Sequence, residues 1–139
     1  MHVGKLTEQR NRVTLALLTQ ILTEPAFNVL RTKEQLGYVV SCTQWQLAGS
    51  GIGGIRIVVQ SEKKPEFLEE RVEAFLDKMK GVIDDMTPEQ FQEQKVGLGR
   101  KWREAPKNLN EESSNYWAQV DSGYLDFFRR ESSCWSDGW

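Results

Sequence analysis

The chain has 139 residues, 39% of them hydrophobic and 27% charged, which is ordinary composition for one globular domain with a core and too little for two. A net charge of -2, from 18 basic and 20 acidic residues, offers neither the basic excess of a nucleic-acid binder nor the acidic run of a disordered tail. The first residues carry no apolar signal region and no apolar stretch approaches the roughly 18 residues that span a bilayer, so a cytoplasmic location with no membrane partner is expected.

Apolar residues first repeat at helical spacing over residues 13–30, with Leu15, Leu18, Leu22 and Leu30 on one stripe. Pro25 removes a backbone donor and is expected to break this helix near Glu24, with a second short helix over residues 26–35 and Gly37 as its stop signal. Residues 38–45 are rich in β-branched and aromatic side chains and read as a strand. Ala48, Gly49, Ser50 and Gly51 supply turn chemistry, and Ile55, Ile57 and Val59 then alternate with Arg56, Val58 and Gln60. The pair reads as a β-hairpin with one buried face.

Ser61 is placed as a helix cap with Pro65 in the first turn, followed by an amphipathic stripe of Leu68, Val72, Phe75, Met79, Val82 and Met86. Thr87, Pro88 and Gln90 have the spacing of a capping box and open a helix with Phe91, Lys95, Leu98 and Trp102 on one face. Asn110 is expected to cap a last helix carrying Tyr116, Val120, Tyr124 and Phe127 on one face, and Trp102 and Trp117 are expected in the core. The fold class is therefore α+β: a β-hairpin packed with three to four helices, and an incomplete sheet whose open edges call for further strands or a partner.

Chemistry is constrained by counting. His2 is the only histidine, so neither a His-x-x-Glu-His nor a His-Glu-x-x-His zinc motif can be written from this sequence. A histidine-dependent nucleophile would have to recruit that same residue. The glycines at 49, 51, 53 and 54 precede no Gly-Lys-Ser/Thr and form no phosphate loop. Cys42 and Cys134 fit no metal spacing and read as two reduced thiols. One segment stands apart: Arg31 near a helix end and Tyr38 at the start of a strand. The guanidinium is a donor fork suited to carboxylates and peptide carbonyls, and the phenol can donate to a developing oxyanion. By composition alone, a surface ion pair for Arg31 and strand packing for Tyr38 are the commoner fates.

The stretch LRTKEQLGYVV at residues 30–40 resembles the C-terminal half of the insulin-degrading enzyme (insulysin) family of zinc metallopeptidases, in a fungal-type relative. EPAFN at 24–28, IVVQSEK at 57–63, RVEAFL at 71–76, DMTPEQF at 85–91, PKNL at 106–109 and YW at 116–117 fit the same family in order. The resemblance is to the fourth, non-catalytic domain, truncated, over residues 1–131, with residues 132–139 as an irregular unmatched tail. The first few residues look like the stub of a strand that precedes the first helix in such domains.

The resemblance implies four α+β domains enclosing a peptide, with zinc in the catalytic first domain and none in this chain. It implies Arg31 and Tyr38 as substrate-binding residues, no catalytic residue here, and two partners: a peptide substrate and the catalytic domain of a parent enzyme. A homodimer through exposed strand edges is also expected. The competing reading is an independently acting peptide or carbohydrate binder derived from that domain.

Overall fold

Residues 13–30 form part of one continuous helix rather than two. The computed structural model describes residues 2–5, 8–47, 51–121 and 127. Helix α1 (Gln9–Ala26) runs through Pro25 into a π-helical segment (Phe27–Lys33). Proline removes its own hydrogen bond to the preceding turn, but the chain answers with a wider turn instead of a break: Glu34 N–H donates to Val29 O, five residues back. By length and composition, the 25 residues Gln9–Lys33 are apolar enough to cross a membrane, contrary to the sequence expectation. Their apolar side chains are used within the fold. Val13, Leu15, Ala16, Leu17, Leu22, Ala26 and Leu30 are all buried.

Strands β2 (Val39–Gln46) and β3 (Ile52–Gln60) form the expected antiparallel hairpin, in register from Val39 opposite Gln60 to Gln46 opposite Gly53. A short strand β1 (His2–Lys5) adds to the other edge of β3 along Ile52–Gly54, giving the order β1-β3-β2. The period-two pattern sorts the hairpin's side chains. Val40, Cys42 and Ile55 are buried, with Ile57 and Val59 packed beside them, while Val39, Trp45 and Val58 on the opposite face are exposed.

Helix α2 (Pro65–Asp84) begins with its proline at the first turn, where a missing N–H costs nothing. Its cap position is Lys64 rather than Ser61; the Ser61 hydroxyl accepts the Lys63 N–H and shapes the approach to the helix. Phe75 and Met79 project into the main core with Leu15, Leu22, Leu30, Leu36 and the inward face of the sheet. Val82, within the expected stripe, is exposed. Helix α3 (Pro88–Arg103) has the expected capping box, with both Thr87–Gln90 bonds present. It packs Leu98 against Val13, Ala16 and Leu17 of α1, with Trp102 half-buried at the margin.

Helix α4 (Leu109–Asp121) starts earlier than expected. Asn108 Oδ1, not Asn110, accepts the Glu111 N–H at 2.8 Å, and the Glu111 carboxylate accepts the Lys107 N–H at 3.0 Å. This helix buries no residue. Trp117 is 68% exposed, which overturns its assignment to the core. Tyr116 meets Phe127 with ring centroids 6.2 Å apart. Tyr124, Cys134 and the tail 132–139 lie outside the described residues; Cys42 is a buried free thiol, and burial pushes its ionisation upward.

Candidate substrate-contact site

The turn that joins the first helix to the sheet has two buried anchors, Leu30 and Leu36. Between them the backbone is tied twice, by Glu34 N–H to Val29 O and by Leu36 N–H to Leu30 O, both at 2.9 Å. Gln35 occupies the left-handed region with φ 49°, a conformation that costs a non-glycine residue roughly 1 kcal/mol or more. Gly37, expected as the helix stop, has another role. A Cβ there would overlap the Gln60 carbonyl oxygen, so only glycine lets the loop approach the end of β3. That same carbonyl accepts the Tyr38 N–H at 3.1 Å.

These ties bring Arg31 and Tyr38 together. The Arg31 guanidinium lies 4.8 Å from the centroid of the Phe27 ring and 5.8 Å from that of Tyr38. Phe27 sits one helical turn before Arg31, while Tyr38 arrives from the strand side. Tyr38 is 82% exposed and Arg31 is exposed. Neither commoner fate holds: Tyr38 is not packed in the sheet, and among the described residues no carboxylate pairs with Arg31. Two aromatic rings attract the cation through their quadrupoles and hold it at an exposed position.

Glu34, inside the same motif, was not singled out by sequence reasoning. Its carboxylate receives a two-pronged contact from Arg71 of α2, Nε to Oε2 at 2.7 Å and Nη2 to Oε1 at 2.8 Å. The Arg71 hydrogen bonds hold the Glu34 carboxyl below its usual range, with the Arg71, Lys63 and Lys78 charges acting the same way against partial burial. Glu34 in turn raises the Arg71 ionisation. The only sequence signal for this pair was the presence of both residues in family-like segments; their 37-residue separation hides the contact.

The arrangement offers donors and no base or nucleophile: a guanidinium fork and an exposed phenol, side by side. Among the described residues no group of three or more His, Cys, Asp or Glu side chains could hold a metal ion. The sequence has one histidine, so these residues do not fit a hydrolytic zinc centre of histidine and carboxylate ligands.

The profile of the family described as PQQ synthase PqqF-like, C-terminal lobe domain 4, matches residues 17–117. The chain is 46% identical to the insulin-degrading enzyme of Homo sapiens over 115 residues, covering 83% of this chain and 11% of that protein. It is 39% identical to the A-factor-processing enzyme of Saccharomyces cerevisiae over 115 residues, covering 83% of this chain and 11% of that protein. The crystal structure of pitrilysin superposes with a TM-score of 0.72 at 31% identity, over 88% of this chain and 13% of that one. The chain thus spans little more than a tenth of the length of these relatives.

Proposed function

This chain belongs to the PqqF-like C-terminal lobe domain 4 family, alongside the matching regions of insulin-degrading enzymes and pitrilysin, and from that membership we propose that it is a substrate-binding, structural domain of an insulysin-type zinc metalloendopeptidase. The observation that carries the reading is the exposed Arg31–Tyr38 pair, with the guanidinium set against two rings and, among the described residues, no carboxylate paired with it. A peptide backbone or C-terminal carboxylate is what such a fork recognises, and the adjacent phenol supplies one more donor. The names of the relatives, an insulin-degrading and an A-factor-processing enzyme, support a peptide as the ligand class. Zinc and hydrolysis belong, in this proposal, to a separate catalytic domain of a cytoplasmic parent enzyme.

The test is binding of fluorescein-labelled, carboxymethylated insulin B chain, followed by anisotropy. Arg31→Ala is expected to weaken binding about tenfold and Tyr38→Phe about threefold, the scale of lost charged and neutral hydrogen bonds. Equal affinity in the Arg31→Ala chain removes the proposed contact. Zinc-dependent cleavage of the probe by the chain alone would contradict the assignment of chemistry elsewhere.

A second reading, self-association, is favoured by one observation. Among the described residues, β1 pairs with β3 only along Ile52–Gly54, which leaves the rest of that edge without a strand.

A further inference from the structure

The geometry points to Arg71 as a positioning residue: through its fork on Glu34 it fixes the turn that carries Arg31 and delivers Tyr38. This rests on the reading of Arg31 and Tyr38 as peptide contacts. The two side chains stand on different elements, the π-helical segment and the start of the sheet, and the connection between them is strained. Gln35 is held at φ 49° and Gly37 is pressed against the Gln60 carbonyl. Such a conformation persists only where its surroundings over-determine it.

Backbone hydrogen bonds tie the turn to its own helix and to β3. Arg71 supplies a tie to a third element, α2, which is itself seated by Phe75 and Met79 in the core. The contact is two-pronged, so it sets the orientation of Glu34 as well as its distance. Lysine keeps the charge but lacks the planar fork. Without the fork, the turn is free to rotate Arg31 away from the Tyr38 ring while the core beneath it stays packed.

The experiment follows the Tyr38 ring signals by NMR in the full chain, assigned by their loss in Tyr38→Phe. Arg31→Ala defines their position when the cation is gone. Arg71→Gln, Arg71→Lys and Glu34→Gln are each expected to move the Tyr38 signals toward that position. They should also weaken insulin B chain binding about three- to tenfold, after correction for the folded fraction by urea unfolding. A merely structural role would lower the urea midpoint and leave the Tyr38 ring of the folded molecules in place. Should Arg71→Gln fail to fold, Arg71→Lys decides: unmoved Tyr38 signals in that chain overturn the proposal. If instead Arg31→Ala leaves peptide affinity unchanged, the contact reading falls while the ring signals still settle the role of Arg71.

Discussion

At the scale of single residues, the chemistry of a side chain matters less here than what constrains it. Arg31 is a surface cation whose direction is set by Phe27 and Tyr38, and Glu34 is a carboxylate whose direction is set by Arg71. The second pair has a pH signature. The folded-state ionisation of Glu34 lies below its unfolded value, chiefly through the Arg71 hydrogen bonds and then the charges of Arg71, Lys63 and Lys78. Its contribution is therefore complete above the unfolded glutamate value and is lost as pH falls through the depressed folded value. The stability gap between the unaltered chain and Glu34→Gln, read by urea unfolding at a series of pH values, should be constant near neutrality and close in the acid range. A gap that does not narrow on acidification would show that the ionised pair is not what Glu34 contributes.

At the scale of elements, local signals are legible where the relevant residues are close in sequence. Thr87, Pro88 and Gln90 announced the start of α3 because a capping box is complete within four residues. The start of α4 was legible too but misplaced: Asn108 has an acid three residues on, Glu111, whereas Asn110 has Ser113 there. The π-helical segment was not legible, because proline forbids one hydrogen bond without saying whether the chain will break or widen its turn. Since α4 buries no residue, its cap should stabilise that helix alone. Asn108→Ala is expected to cost about 1 kcal/mol locally. Hydrogen exchange in the first turns of α4 should quicken several-fold while the global urea midpoint stays put. A lowered global midpoint would mean that α4 is coupled to the core.

At the scale of the whole molecule, one core joins the long first helix, the sheet and α2, and a smaller cluster joins α1 to α3. What remains outside is apolar and unusual for an isolated domain: Leu109 is 79% exposed and Trp117 follows on the same helix. This surface and, separately, the partly unpaired edge of β3 give the expectation of self-association its physical basis. Sedimentation velocity over a hundredfold concentration range should show a rising average mass, and a Trp117→Asp chain should shift that rise to higher concentration. A single monomeric species throughout would remove the proposed homodimer.

The sequence by itself determined the hairpin, α2 and α3 and the inward faces of the first helix and the hairpin, because helical and strand periodicities of three to four and two residues are properties of neighbours along the chain. It also determined that a zinc site of histidines cannot be assembled here, since that depends on a count. Through family-like motifs it singled out Arg31 and Tyr38. Tertiary structure alone decided that these two lie against each other, that Arg71 reaches Glu34 from another helix, that Gly37 is required by the Gln60 carbonyl rather than by a helix end, and that Trp117 stays at the surface. Each of these is a meeting, or a failure to meet, between segments distant in the chain, and no local pattern carries that information.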